Sequence, residues 1–227
     1  ERAPYAEVAR LYGFFRREFF NLDTHLSTSE REFIEACMER NPQDWGVVYN
    51  DGFSYSLFSF SHRVKGTRLN SSRVFFAHHR EPELRPLSEA IIREWGFEPN
   101  TFPLFDLTVG FGWDIMSGIR KTYVLVDDVS KVPDAQSAEL FEQVRDFAIY
   151  PQGLASVSIV NGVISERKVY VALREPQPEL IQHLPFANSV IHTNLMVTST
   201  RGVVPQVDVD GQLDPSHFNP LAGQIVD

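Results

Sequence analysis

The stretch IRKTYVLV, residues 119–126, decides the fold, because ERKVYVAL, residues 166–173, repeats its pattern later in the chain. Both contain Arg-Lys-x-Tyr followed by an apolar run rich in valine, which is typical of a β-strand. The two lysines, Lys121 and Lys168, are 47 positions apart. A recurrence at that interval predicts equivalent strands in successive copies of an internal repeat.

The sequence around these strands predicts a repeating unit of strand, turn, strand and helix. The paired strand-like runs are FSYSLFSFS and RVFFAHH, LFDLTVGFG and IRKTYVLV, LASVSIV and RKVYVAL, and IHTNLMVTS and VVPQVDV. Helices are expected over residues 83–95, 134–147 and 179–184. We therefore predict an α+β fold in one domain over residues 1–227, with helices in 1–44 and the repeats in 45–227.

Three local patterns describe the N-terminal part. Apolar residues at helical spacing predict a helix over residues 5–20. Ser27-Thr-Ser-Glu30 has the form of a capping box and predicts a second helix that ends near Arg40. Asn50-Asp-Gly52 predicts a turn between two strand-like runs.

Alternation divides each hairpin into an apolar face and a polar face, because successive side chains of a strand point to opposite sides. Lys121 and Tyr123 share one face of their strand, and Lys168 and Tyr170 share one face of theirs. The partner runs place further polar side chains opposite apolar ones, at Asp106, Thr108, Ser156 and Ser158.

Two architectures account for this pattern. One is a half-exposed antiparallel sheet with helices on its apolar side and water on the other. The other is an antiparallel β-barrel surrounded by α-helices, whose polar side faces a solvent-filled lumen. Repetition favours the barrel, because hairpins added around a circle leave no exposed edge.

Composition narrows the class of protein. The chain has 227 residues and a formal net charge of −9, which argues against nucleic acid or an anionic membrane as the partner. Its single cysteine, Cys37, allows no internal disulfide and no cysteine metal site. No run is long and apolar enough for a membrane helix. We expect a cytoplasmic monomer without a metal.

Some conspicuous residues are given structural roles. His78 and His79 have no metal-ligand partner at a useful spacing and are expected at a solvated strand end. Gly110 and Gly112 do not form a phosphate-binding GxGxxG motif and are expected at a strand end and turn.

The residues resemble a known family, the soluble aromatic prenyltransferases of the ABBA type. The best match is SGIRKTYVLVDD, residues 117–128, followed by a helix containing AELFEQVRDF, and GLASVSIVNGVISERKVYVALRE is similar to the family's next hairpin. The resemblance implies a barrel of antiparallel strands with helices outside. It also implies transfer of a prenyl group from an isoprenoid diphosphate, dimethylallyl or geranyl, to an electron-rich aromatic molecule in secondary metabolism.

The resemblance also implies roles for individual residues. The family's strand supplies a lysine for the diphosphate and a tyrosine facing the lumen, which correspond to Lys121 and Tyr123. The next hairpin implies the same roles for Lys168 and Tyr170.

Two departures from the family shape the expectation. The chain shows about four hairpin units where the family has five, so the sequence leaves two alternatives open: the last repeat is missing from this sequence, or the barrel is incomplete. The run SYSLFSFSHR has no acid where some members carry an aspartate for magnesium, so a magnesium-independent enzyme without a cofactor is expected.

The chemistry of prenyl transfer explains why such residues are needed. Leaving-group charge on the diphosphate requires preorganised cations. Aromatic faces stabilise the allyl cation in a dry pocket. Besides Lys121 and Lys168, the candidate diphosphate ligands are Arg63, Lys65 and Arg201. Besides Tyr123 and Tyr170, the candidate wall residues are Phe58 and Phe60. Asp106 is the candidate base, with water or the released diphosphate as alternatives.

Two other functions remain open from the sequence. A non-catalytic carrier would use a similar lumen for apolar small molecules. A sheet protein without a pocket would use the polar face as a protein interface.

Overall fold

The computed structural model describes the backbone of residues 25–40, 47–50, 53–56, 58–65, 68–78, 82–148, 151–173 and 190–209. It describes the side chains of residues 25–37, 73–78, 82–148, 151–173 and 195–204.

Ten strands lie in these ranges. They are β1 (Val47–Asn50), β2 (Phe53–Ser56), β3 (Phe58–Lys65), β4 (Arg68–Ala77), β5 (Thr108–Asp114), β6 (Arg120–Val126), β7 (Gly153–Val160), β8 (Val163–Ala172), β9 (Val190–Thr198) and β10 (Gly202–Val209). Among the described residues, β1 pairs with β2, and the other eight form one sheet in sequence order from β3 to β10. Every pair whose register is described is antiparallel.

The described α-helices are α1 (Thr28–Arg40), α2 (Arg85–Glu94) and α3 (Ala135–Glu142). Short 3₁₀ helices lie at Pro82–Leu84, Pro99–Thr101, Phe105–Leu107, Val129–Lys131 and Arg145–Phe147. The α+β class and the antiparallel hairpins are confirmed. The described pairings end at β3 on one side and β10 on the other, so closure into a barrel stays a prediction.

The chain divides into two compact units, and the prediction of one domain over residues 1–227 stays a prediction. Of the described residues, the first unit takes in those up to residue 61, those in 72–124 and those in 157–165. The second takes in those in 62–71, 125–156 and 166–209.

The first unit has an apolar core between its helices and one face of the sheet. In the register, Val74 of β4 lies opposite Trp113 of β5, and Phe76 lies opposite Phe111. The Phe111 ring meets Phe33 of α1 edge-to-face with ring centres 5.0 Å apart. Burying side chains of this size contributes about 1.5–3 kcal/mol each, so this face anchors the helices to the sheet.

The core continues along the chain from α1 to the β7–β8 hairpin. Its buried members are Leu26, Phe33, Ile34, Cys37, Val74, Phe76, Leu84, Ile91, Ile92, Trp95, Phe102, Phe105, Phe111, Trp113, Val157 and Ile159. β7 and β8 are joined by Asn161 and Gly162, which both have positive φ (51° and 73°), as a two-residue hairpin turn requires.

A buried carboxylate ties the helices of this unit to β6. Glu30 is 1% exposed, and its Oε1 accepts hydrogen bonds from Trp95 Nε1 at 2.7 Å and Arg120 Nε at 2.8 Å. Its Oε2 accepts from the backbone N–H of Ser27 at 2.7 Å, while the Ser27 hydroxyl accepts from the Glu30 N–H at 3.2 Å. The predicted capping box is therefore confirmed, and its glutamate also binds two partners distant in sequence.

The second unit aligns β8, β9 and β10. Val169 lies opposite Val197 and Val171 opposite Leu195, and all four are buried. On the same face as Val169, Arg167 Nε lies 3.3 Å from Asp134 Oδ2, and Asp134 caps the first turn of α3 by accepting from the Ser137 N–H. This face of β8 therefore contacts the N-terminus of α3.

Several expectations about the elements need correction. The run FSYSLFSFS forms two strands, β2 and β3, and α3 ends at Glu142 before a separate 3₁₀ turn. LFDLTVGFG was expected to be one strand, but Leu104 has a φ of 58° and residues 105–107 form a 3₁₀ helix, so β5 begins only at Thr108. The predicted helices over 5–20 and 179–184 lie outside the described residues.

Candidate functional site

The polar groups of the first unit lie on the sheet face opposite its helices. Gly112 of β5 pairs with Phe75 of β4 and with Lys121 of β6, while Gly110 pairs with Ala77 and Tyr123. Gly110 and Gly112 alternate along β5 with the core residues Phe111 and Trp113. These two glycines and their paired neighbours therefore lie on the sheet face opposite the core. We call Arg73, Phe75, Gly110, Gly112, Lys121 and Tyr123 the Lys121 face. The predicted shared face of Lys121 and Tyr123 is confirmed.

The Lys121 face is not open to bulk solvent at its lysine. Lys121 is 4% exposed, although lysine is almost never buried unless its charge is compensated. Ser158, on the polar side of β7, is 3% exposed. Both faces of the sheet are therefore covered at these two positions, and the choice between the two predicted architectures stays open.

Two glycines make room for the side chains of the Lys121 face. A Cβ atom at Gly112 would lie 3.0 Å from Tyr123 Cε2, and one at Gly110 would lie 2.8 Å from Phe75 Cε2. Both glycines lie within β5, so their predicted place at a strand end and turn is wrong. Glycine within a strand often marks a close approach of this kind.

An aromatic pair and an arginine lie across these glycines. The Phe75 and Tyr123 rings meet edge-to-face with centres 4.6 Å apart. Arg73 Nη1 donates a hydrogen bond to the Tyr123 hydroxyl at 3.2 Å. The face therefore presents two cationic side chains, Arg73 and Lys121, beside a pair of aromatic rings in edge-to-face contact.

The polar face of the second unit contains a compact charged cluster. Lys168, 8% exposed, places its Nζ 2.9 Å from Glu166 Oε2. Thr200 Oγ1 donates to Glu166 Oε1 at 2.7 Å, and Arg201 Nη2 lies 3.7 Å from the same oxygen. We call Glu166, Lys168, Thr200 and Arg201 the Glu166 cluster.

The cluster fixes the charge of its carboxylate. Burial alone would raise the pKa of Glu166, but the hydrogen bonds from Lys168 and Thr200 and the charges of Lys168 and Arg201 hold the pKa below its ordinary value. Glu166 is therefore ionised at neutral pH, and its charge compensates that of Lys168.

The other predicted site residues have varied positions. Tyr170 is partly buried and lies on the Lys168 side of β8, opposite Met196 of β9. Arg201 lies in the β9–β10 turn with its side chain 45% exposed. The remaining predicted residues of β3 are Phe58, Phe60, Arg63 and Lys65, and their side chains lie outside the described residues.

Asp106 does not lie on a strand face, as was expected, but in the 3₁₀ helix before β5. Its side chain is 77% exposed and binds Arg85 Nη2 at 2.7 Å. It lines a half-open cavity of about 180 Å³ together with His78, Arg85 and Phe105. The left-handed turn at Leu104 directs the chain away from the expected strand, so the reason for choosing Asp106 was wrong, while its role as base stays a prediction.

His78 is also placed differently from its expectation. It is 5% exposed, its ring meets Phe33 at 5.8 Å, and its N–H donates to Val109 O at 2.7 Å. A solvated strand end is therefore wrong for His78, whereas His79 lies outside the described residues. Within the described ranges, no group of His, Cys, Asp or Glu is arranged to hold a metal ion.

Sequence reasoning missed Arg73, Phe75 and Thr200. Arg73 and Phe75 belong to a strand whose register against β5 was unknown. Thr200 reaches Glu166 only through the β9–β10 turn. One sequence signal could have located this site. Gly-x-Gly at residues 110–112 precedes Lys-x-Tyr at 121–123, and glycines within a strand often mark a close approach by a neighbouring group.

Comparisons with known proteins give little further guidance. No protein-family model and no curated protein matches the chain. A solved structure, AnaPT from Neosartorya fischeri, aligns with a TM-score of 0.46 and 11% identity over 91% of this chain and 67% of its own. Values this low assign neither a family nor an activity. No helix in the described part of the chain has the length and apolar character to cross a membrane.

Proposed function

We propose that the protein is an aromatic prenyltransferase of the ABBA type, which joins the prenyl group of an isoprenoid diphosphate to an electron-rich aromatic molecule. The Lys-x-Tyr resemblance motivates the proposal, and one observation carries it. Lys121 is buried on the sheet face opposite the helices, beside the ring of Tyr123. A covered polar face is what the interior of a closed barrel requires, and closure is part of the proposal.

The cations are proposed to bind the diphosphate. Breaking the allylic C–O bond leaves negative charge on the diphosphate, which fixed positive groups stabilise without reorganisation. Lys121 is the first candidate, and Arg73 joins it because it lies on the same face. The remaining proposed ligands are Arg63, Lys65, Lys168 and Arg201. With this many cations, no magnesium ion or other cofactor is expected.

The aromatic rings are proposed to hold the prenyl chain and shield its cation. An allyl cation over an aromatic face in a dry pocket gains about 2 kcal/mol or more. The Tyr123 and Phe75 pair provides such faces next to Lys121. Tyr170, Phe58 and Phe60 are proposed as further wall residues.

Loss of a proton from the acceptor completes the reaction. Water or the released diphosphate is proposed to take it, and Asp106 is the candidate side chain. Because Asp106 is exposed and bound to Arg85, Asp106→Asn separates these choices. A loss of turnover below tenfold would assign the proton to water or diphosphate.

The test is direct. The protein is incubated with dimethylallyl or geranyl diphosphate and a panel of phenols and indoles, with and without EDTA. We expect diphosphate release and a product heavier by the prenyl group in at least one combination, unchanged by EDTA. Failure of every combination to release diphosphate would reject the proposal.

One observation favours a second candidate, a non-catalytic binder of apolar small molecules. The ion pair between Glu166 and Lys168 compensates one of the cations that the reaction would use. A binder of neutral ligands needs no uncompensated cation. Such a protein would be stabilised thermally by aromatic or isoprenoid alcohols and not by their diphosphates.

A further inference from the structure

The carboxylate of Glu166 is surrounded as a bound anion would be. Three donors from two chain segments converge on its two oxygens: Lys168 Nζ at 2.9 Å, Thr200 Oγ1 at 2.7 Å and Arg201 Nη2 at 3.7 Å. An ammonium, a hydroxyl and a guanidinium are also the side-chain groups that bind phosphate oxygens in proteins.

The backbone that carries the donors is fixed by hydrogen bonds that do not involve the Glu166 side chain. Ser199 Oγ accepts from the Arg167 N–H at 3.0 Å, and the Ser199 N–H donates to Arg167 O at 2.9 Å. The Arg201 N–H donates to Thr198 Oγ1 at 2.8 Å, and Thr198 lies opposite Lys168 in the register. The β9–β10 turn is thus fixed to β8, so the backbone positions of Lys168, Thr200 and Arg201 do not depend on the carboxylate.

We propose that Glu166 is an internal occupant of an anion site formed by Lys168, Thr200 and Arg201, and that a phosphate-bearing ligand binds there by displacing it. The inference rests on the proposed function, in which Lys168 and Arg201 are diphosphate ligands, and adds the group that competes with the diphosphate. Glu166 thereby lowers the affinity of the site and keeps Lys168 compensated until ligand arrives.

Electrostatic attraction favours replacing the Glu166 carboxylate with a diphosphate. The carboxylate carries one negative charge and a diphosphate carries more, so Lys168 and Arg201 gain from the replacement. The displaced Glu166 has a route to solvent, because its side chain is 17% exposed. The substitution Glu166→Gln keeps the shape of the side chain and an oxygen that can accept from Thr200. It removes the negative charge that pairs with Lys168.

Isothermal titration calorimetry, which measures the affinity for inorganic pyrophosphate, tests the proposal. We expect Glu166→Gln to raise affinity about tenfold, the effect of losing one competing charge-assisted hydrogen bond. Lys168→Met in the Glu166→Gln background should remove that gain. Glu142→Gln is the matched control, because Glu142 is 63% exposed and bound to an arginine on the surface, so its loss should leave affinity unchanged. Circular dichroism melting verifies that each variant is folded.

A second measurement uses the unaltered chain. If pyrophosphate displaces the carboxylate from its cationic partners, an NMR titration should find the pKa of Glu166 higher at saturating pyrophosphate than in its absence. An unchanged pKa at saturation, or a Glu166→Gln variant that binds no more tightly than the original, would overturn the proposal.

Failure of this proposal can be distinguished from failure of the proposed function. If no prenyl transfer occurs while Glu166→Gln binds pyrophosphate more tightly, the enzyme proposal fails and the internal occupant stands. If transfer occurs while Glu166→Gln leaves pyrophosphate affinity unchanged, the enzyme proposal stands and the proposal of an internal occupant fails.

Discussion

Gly112 and Tyr123 lie on neighbouring strands, and the ring of Tyr123 occupies space that a side chain at position 112 would need. A Cβ there would lie 3.0 Å from Tyr123 Cε2 and 3.6 Å from Arg73 Cδ. The position of the Tyr123 ring, and with it the hydrogen bond from Arg73, therefore depends on the absence of a side chain on β5.

Alanine at the two glycines of β5 should have unequal effects. At Gly112 the clash is with a ring that can shift, so we expect a loss of about 1 kcal/mol in the free energy of unfolding. At Gly110 the new Cβ would lie 2.5 Å from Phe76 O and 2.9 Å from Ala77 Cα, which are backbone atoms. Gly110→Ala should therefore cost about 3 kcal/mol or more in urea unfolding. Equal losses would contradict this.

Removing the ammonium of Lys121 should impair the proposed reaction. A charge-assisted contact with the leaving group is worth about 1.5–3 kcal/mol, so Lys121→Met should lower kcat/KM for the prenyl diphosphate about 10- to 100-fold. Lys131→Met is the matched control, because that lysine is 80% exposed and pairs only with the nearby Asp128 among the described residues. Similar losses in both variants would argue against a specific role for Lys121.

The buried carboxylate of Glu30 should matter for stability. Glu30→Ala leaves Trp95 Nε1 and Arg120 Nε without their acceptor, while Arg120 Nη2 still donates to His25 O, so we expect a loss of about 3 kcal/mol in the free energy of unfolding. Glu142→Gln, which breaks an exposed ion pair, should change it by less than about 1 kcal/mol. Urea unfolding of both variants measures the difference.

The pH dependence of stability should reflect Asp128. The Lys131 ammonium and the hydroxyl and N–H of Ser130 lower the pKa of this carboxyl from 3.8 to about 2. The folded state thus favours the ionised form, and the stability it contributes is complete above about pH 4 and is lost as pH falls to about 2.

Asp128→Asn tests this relation. The difference in melting temperature between the original chain and the variant should be constant at neutral pH and narrow between pH 4 and 2. Because both charges are near the surface, salt should reduce it. A difference that grew on acidification would have the wrong sign.

Much of the sheet could be predicted because alternation is a local property. The division of β8 into a Val169 face and a Lys168 face needs only the period of a strand, and the register with β9 confirms it. The predicted face also contained Glu166, so its proximity to Lys168 was readable as a same-face neighbour two residues away. Arg201 reaches it through the β9–β10 turn, as Thr200 does, and that geometry is not encoded in spacing.

Asp106 and His78 were misplaced for two different physical reasons. Asp106 was assigned to a strand because LFDLTVGFG alternates, but the left-handed conformation of Leu104 overrides alternation with a 3₁₀ helix. His78 was expected at a solvated strand end because it is polar and precedes charged residues, whereas packing of α1 against β5 covers it. The first cause is a local backbone conformation and the second is packing between elements, and strand alternation in a single sequence reveals neither.

The turn at Asn161 and Gly162 has a kinetic consequence. It closes β7 and β8 with the shortest loop that a hairpin allows, so little chain entropy is lost before their backbone groups pair. Hairpins of this kind assemble in microseconds, well before strands distant in sequence meet. We expect this hairpin to be an early nucleus in refolding, to which neighbouring strands are added.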